Sequence, residues 1–382
     1  MIYFDNAATS WPKPQTVIHA VNQSFQSFGG NPGRGGYPMA MKTAEMVYKT
    51  RKTASELFSM DKPENVVFTQ NCTHALNLLL YGLLRKGDKV VISDLEHNSV
   101  VRPLMDMEKK GLVEVKVIET SLEDHHETVK RFAEAIDEKT KLVLCTHASN
   151  VAGVVLPIKE IGEHAHKCGV YFAVDGAQSA GMIPINMKEM NIDFLCVPGH
   201  KGLYGPSGTG MLLINCDVMI DPLLKGGTGS LSNQMNMPEF YPDRLESGTQ
   251  NLSGICGLNA GMNFVRNKTI ERLHLHEFYL KKEAYHCLSM CNGVILYTAK
   301  PEYLDTVPVL SFNLKGKTGE ESSHLLAERG FALRGGLHCA PFAHKKMGTL
   351  EQGSARISFG AFNSVNEVYR FCETIKKLQY TV

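Results

Sequence analysis

The 382-residue sequence has no long hydrophobic run, no excess of either charge and no paired-cysteine motif. Apolar stretches such as Leu76 to Leu84 end well short of the roughly 20 residues that cross a bilayer, so no membrane span is expected. Lys and Arg number 40 against 39 Asp and Glu, and the net charge of +1 gives no electrostatic footprint for nucleic acid. The 10 cysteines are scattered without a Cys-x-x-Cys pair, and several sit inside apolar runs (Cys145, Cys196, Cys256), so buried reduced thiols are expected for all but Cys339. The start, Met1-Ile2-Tyr3-Phe4-Asp5-Asn6, lacks the basic and apolar regions of a secretory signal, and a cytoplasmic protein is the expectation. Neither Gly29 to Gly36 nor Gly205 to Gly210 fits a dinucleotide fingerprint or a P-loop.

What is present is a 43% hydrophobic chain, enough for a large core and roughly two domains. A helical segment around Val17 to Phe25 leads into the Gly29 to Gly36 loop. From Asn65 onward, short β-branched runs alternate with helix-length segments: Val66 to Thr69, Lys89 to Ser93, Val113 to Ile118, Leu142 to Thr146, Val170 to Val174 and Phe194 to Val197. That alternation predicts an α/β fold on a mostly parallel central sheet, closed by a strand at Gly210 to Ile214. A boundary near Leu258 divides a large domain, 1–258, from a smaller α+β domain, 259–382, with the first 15 residues free to pack on the latter.

Ligands of such sheets bind beyond the carboxyl ends of the strands. There the sequence places Asn71, Cys72, Thr73 and His74, then Glu96-His97-Asn98, then Ser149-Asn150, then Asp175 and Gln178, then His200-Lys201. Thr73 at the opening of a helix over Ala75 to Leu84 suits a phosphate, with an ordinary N-cap as the competing reading. Asp175 at a buried strand end needs a cationic partner; a pyridinium nitrogen qualifies, and Lys201 on the next strand end completes the acid-plus-lysine signature of pyridoxal phosphate (PLP). His97 either serves the cofactor or is a satisfied structural group. The clusters Asp124-His125-His126-Glu127 and His164-Ala165-His166 lack metal-ligand spacing, so solvated surface is expected and no metal site is assigned. In Arg334-Gly335-Gly336-Leu337-His338-Cys339-Ala340-Pro341, a thiol sits in a flexible, cationic neighbourhood suited to a nucleophile. Arg334 and Arg356 are candidates to grip a carboxylate, against the alternative of surface salt bridges.

These motifs, from Tyr3-Phe4-Asp5-Asn6-Ala7-Ala8-Thr9 through Thr146-His147-Ala148-Ser149-Asn150-Val151, Val174-Asp175-Gly176-Ala177-Gln178 and Pro198-Gly199-His200-Lys201 to the Cys339 loop, resemble in order and spacing the class V aminotransferase family of fold-type I PLP enzymes. Within it, the pattern is similar to the cysteine desulfurase and selenocysteine lyase group. The resemblance implies that Lys201 holds the cofactor covalently, Asp175 pairs with its pyridine nitrogen, Gln178 and Asn150 contact its phenolic oxygen region, and His97 stacks on its ring. It further implies that Thr73, His200, Cys72 and His74 hold the phosphate, that Thr249 reaches the phosphate of the other subunit of a homodimer, and that Arg34 approaches the neighbouring site, with Asn150 also near the substrate carboxylate.

The activity so implied converts L-cysteine to L-alanine with a persulfide on Cys339, passed to an acceptor protein or thiol. L-selenocysteine is an alternative substrate, a transaminase or β-lyase an alternative reaction, and a non-catalytic PLP-binding regulator the remaining reading. Two departures from the group's pattern are Leu337, where a histidine is usual, and Gly202, an extra residue after Lys201.

Overall fold

The computed structural model describes residues 1–33, 35–303 and 305–378. After strand β1 (Ile2–Tyr3) come helices α1 (Gln15–Ser27) and α2 (Pro38–Leu57), the latter not expected from the sequence because its apolar stripe is weak. The alternating region then runs β2 (Val66–Thr69), α3 (Cys72–Leu83), β3 (Asp88–Ser93), α4 (Asn98–Lys109), β4 (Val113–Ile118) and α5 (His125–Ala135). It continues through β5 (Thr140–Thr146), α6 (Ile158–Lys167), β6 (Tyr171–Asp175), β7 (Phe194–Pro198) and β8 (Gly210–Ile214).

These strands form one sheet of 7 in the order β2-β8-β7-β6-β5-β3-β4. All neighbouring pairs are parallel except those of β8, which runs against both β7 and β2. The uninterrupted apolar strands have a simple cause. Along β5, Leu142 and Leu144 enter the core on one face while Val143 and Cys145 enter the core on the other, so both sides of this central strand are covered.

Helix α7 (Leu252–Lys268) packs against α1 and α2, and Leu258 lies in its middle, fully buried in the core of the large sheet. The chain turns at Thr269, whose φ of 64° separates α7 from α8 (Ile270–Ser289). A second sheet has the order β12-β13-β10-β9, built from β9 (Val294–Leu296), β10 (Val309–Leu314), β12 (Arg334–Gly336) and β13 (Ser354–Ser358). Around it lie α9 (Gly319–Ala327), the short strand β11 (Phe331–Ala332) and α11 (Val365–Leu378), while α10 (Pro341–Lys346) sets Ala343 into the core of the large sheet. β1 pairs in parallel with β11, and Ile2 and Phe4 join the core of this second sheet, so the first residues of the chain are built into its last part.

Candidate active site

The strands β2, β3, β5, β6 and β7 share one direction, so the residues after each of them arrive at one edge of the sheet. A cavity of about 190 Å³ opens there, lined among others by Cys72, Thr73, His97, Asn150, Asp175, Gln178, His200 and Lys201. All of these were expected at the site from the sequence.

Asp175 ends β6 with 1% of its surface exposed; it accepts from Ala177 N at 2.9 Å and from the Cys72 thiol at 3.4 Å. Neither partner neutralises a buried carboxylate. Burial holds the Lys201 amine below its ordinary value, with Asp175 acting in the opposite sense. His97 caps α4: its Nδ1 accepts from Ser99 N at 3.0 Å, which fixes the ring, and burial lowers its pKa to about 4 so that the imidazole is neutral. His200 is likewise pushed down to about 4 by burial, and its Nδ1 is buried without a partner. Gln178 donates to Ala7 O at 3.0 Å and leaves its Oε1 buried and unpartnered.

Helix α3 points its N-terminus into the cavity. Its cap is Asn71, whose side chain accepts from His74 N at 2.9 Å, so Thr73 is not the N-cap and lines the cavity from within the first turn. The Cys72 side chain, at the cavity wall, faces Asp175, and the His74 ring accepts from Gln70 N at 3.3 Å and is not among the residues lining the cavity.

Both arginines lie beside this pocket. Arg356 is 1% exposed, donates to Asp5 Oδ1 at 2.9 Å and to Asn150 O at 3.1 Å, and keeps its Nε unpartnered, so the surface salt bridge is replaced by a buried one. Arg334 is half-buried, with Nη2 3.8 Å from Cys339 Sγ. Cys339 itself is exposed, as a nucleophile must be. The backbone around it is strained: His338 and Cys339 have φ of 50° and 56°, a conformation costing of order 1–3 kcal/mol per residue and retained only where the surroundings impose it. Asn150 Nδ2 donates to His338 O at 2.8 Å and Asn98 N donates to Cys339 O at 2.7 Å. The thiol is thereby tied to the residues flanking the cavity.

Flexibility is not what Gly335 contributes. It lies in β12, and a Cβ there would come within 2.5 Å of Gly319 O and Ser323 Oγ. Gly202 has a similar reason, since it packs back to back against Ala180 and Gly181. Leu337 is surface, 40% exposed. Arg34 lies outside the described residues. Thr249 is exposed and does not line its own chain's cavity; its segment is anchored by the buried pair Arg51–Glu246 at 2.6 Å and by Phe68 N, 2.6 Å from Glu246.

The sequence places Glu96 at this edge and Asp5 in the opening motif but assigns neither a specific role. Glu96 is fully buried, accepts from Ser93 Oγ at 2.5 Å and Thr146 N at 2.7 Å, and is pushed up to about 8 by burial. It joins the ends of β3 and β5 just before His97. An acid set between Leu95 and His97 at a buried strand end was the available signal.

The two histidine clusters converge: His125, His126 and His164 line one open groove, yet no described group of three or more His, Cys, Asp or Glu side chains has metal-holding geometry. No helix is long and apolar enough, among the described residues, to cross a membrane.

The Aminotransferase class-V family model matches residues 2–371. A probable cysteine desulfurase of Methanothermobacter thermautotrophicus is 33% identical over 99% of this chain and 94% of its own length. A cysteine desulfurase of Haloferax volcanii is 32% identical over 98% of this chain and 88% of its own. The apo cysteine desulfurase structure from Thermococcus onnurineus NA1 superposes with a TM-score of 0.91 at 30% identity, covering 100% of this chain and 95% of that one. The chain has the fold of a PLP-dependent transferase of fold type I and belongs to the class V aminotransferase family. Its cofactor is PLP, and the pocket fits it: a buried carboxylate without an ion-pair partner, a half-buried lysine, a helix N-terminus and unpartnered polar atoms on Gln178 and His200 all face one cavity.

Proposed function

We propose that this protein is a cysteine desulfurase: L-cysteine and the Cys339 thiol become L-alanine and a Cys339 persulfide. The observation that carries this reading is Cys339 itself, an exposed thiol on a strained turn pinned by Asn150 and Asn98 to the rim of the cofactor cavity. A transaminase has no use for it.

In the reaction, bound PLP supplies an electron sink that makes the substrate Cα proton acidic. Lys201 would anchor the cofactor, and its amine, once released by the incoming substrate amine and held below its ordinary value by burial, would move that proton. Asp175 would offer the negative partner for the pyridine nitrogen, and neutral His97 would stack on the ring. Arg356 and Arg334 take the substrate carboxylate, while Asn150 links that region to the Cys339 turn. Thiolate attack on the substrate sulfur forms the S–S bond and breaks the Cβ–S bond; the electron pair stays on Cβ, which is protonated to give alanine. A second thiol, on an acceptor protein or small reductant, then removes the persulfide sulfur.

The same reading makes the protein a homodimer in which Thr249, presented on the surface by the anchored 246–250 segment, would reach the partner's cofactor phosphate. With all 10 cysteines free, its thiol chemistry suits the cytoplasm. The test is mass spectrometry after exposure to L-cysteine. Wild type should gain one sulfur on the Cys339 peptide, Cys339→Ala should gain none, and a wild type without added sulfur would overturn the reading.

A further inference from the structure

Behind the nucleophile lies a buried chain of side chains that the mechanism does not use. Thr349 Oγ1 is 2.7 Å from His344 Nδ1, His344 Nε2 is 3.3 Å from His338 Nδ1, and His338 Nε2 is 3.4 Å from Arg334 O. Thr349 and His344 have no exposed surface and His338 has 2%. The two rings lie nearly parallel, 11° apart.

The direction of this chain is set by its ends. A carbonyl only accepts, so His338 must donate from Nε2 to Arg334 O; a neutral ring then accepts at Nδ1. The same logic makes His344 donate from Nε2 and accept at Nδ1, leaving the Thr349 hydroxyl, which lies 2.7 Å from that nitrogen and 3.4 Å from His344 O, as the donor that starts the series. Both rings are kept neutral by burial, with the Arg356 guanidinium adding to the effect on each and Arg334 on His338; the pKa values fall to about 2 for His338 and about 4 for His344.

The far end of the chain is the segment that carries Cys339. Arg334 O is held by the chain, His338 O by Asn150 and Cys339 O by Asn98, so one carbonyl of β12 and two of the turn that follows it are fixed from three directions. These bonds hold two consecutive non-glycine residues in left-handed backbone conformation.

We propose that Thr349, His344 and His338 form a positioning relay, a fixed-tautomer series of hydrogen bonds that sets the placement of Cys339 toward bound substrate. None of the three lines the cofactor cavity. The inference rests on the desulfurase reading for its kinetic consequence only.

Thr349→Val removes the starting donor at similar shape, and Thr349→Ser keeps it. In Thr349→Val, kcat for alanine formation should fall roughly tenfold or more, while KM, cofactor absorbance and alkylation of Cys339 by iodoacetamide stay within about twofold of wild type; Thr349→Ser should restore kcat. Unchanged kcat in Thr349→Val overturns the relay, and so does a fall not restored by serine. A second measurement needs no turnover and no variant beyond the one used for assignment. In nitrogen-15 histidine-labelled wild type, assigned against His344→Gln, both rings should show neutral Nε2–H signals from about pH 5.5 to 9, a range that extends below the ordinary histidine pKa of about 6.5. Protonation of either ring in that range, or an Nδ1–H tautomer, overturns it. A wild type that forms no alanine rejects the desulfurase reading, and the nitrogen-15 spectrum still decides the relay.

Discussion

Arg334 and Arg356 stand directly opposite one another across the antiparallel β12–β13 pair, so two guanidinium groups project from the same face of one sheet. Like charges opposed in this way repel, and burial together with Arg334 lowers the Arg356 pKa while Asp5 acts to raise it. Asp5 compensates one side only. The unpartnered Nε of Arg356 and the half-buried Arg334 beside Cys339 leave a cradle whose natural guest is a carboxylate.

Replacing Arg356 by Gln should therefore raise KM for L-cysteine about 10- to 100-fold, the equivalent of the roughly 1.5–3 kcal/mol of a charged hydrogen bond. It also leaves Asp5 without its partner, so Arg334→Gln, at a half-buried site, is the companion variant and should raise KM in the same direction. Steady-state kinetics decide; an unchanged KM in both would remove the cradle from substrate binding.

Gly335→Ala should destabilise the protein, because the added methyl meets Gly319 O and Ser323 Oγ at 2.5 Å. Overpacking of this kind costs typically about 1–3 kcal/mol. The urea midpoint should fall, and activity should fall with it as β12 moves. A midpoint equal to wild type would show that the glycine serves chain mobility after all.

The protein should lose stability as pH falls below about 6.5, the ordinary histidine value. Burial depresses His97, His200 and His344 to about 4, His147 to about 3 and His338 to about 2, so in the acid range the unfolded chain takes up protons that the folded one refuses. Their contribution is present above the unfolded pKa and is lost as pH drops through the folded values. Glu96 and Glu277, both raised to about 8 by burial, act in the opposite sense but are fewer. Urea titrations at pH 7 and 5 check the sign; equal or greater stability at pH 5 would contradict it.

Lys201→Ala should lose the visible absorbance of covalently held cofactor, and Asp175→Ala should weaken cofactor retention through dialysis. Full absorbance in the first variant would reject the lysine assignment. Unchanged retention and turnover in the second would remove Asp175 from the site.

Much of this was legible in the sequence, for a physical reason. Strands covered on both faces must be apolar throughout, as Leu142 to Cys145 are, and polar residues at their ends then stand out against them. Lys201, Asp175, His97, Asn150 and Gln178 were visible in that way. What the sequence concealed depends on contacts across the fold. Asp5 meets Arg356 only because β1 is carried to the second sheet, and the Cys72 thiol meets Asp175 across the space between two strand ends. The pattern Gly335-Gly336 reads as a hinge locally, whereas close packing against α9 requires the first of the two glycines. His338 and His344 gave no signal because spacing in sequence does not show which ring nitrogen meets which.

The most direct test of the central claim is alanine formation from L-cysteine under reducing conditions, with wild type and Cys339→Ala compared at equal cofactor content. Alanine from wild type and its loss in the variant is the predicted result. Equal alanine from both proteins would contradict the role of Cys339, and none from either would contradict the desulfurase assignment itself.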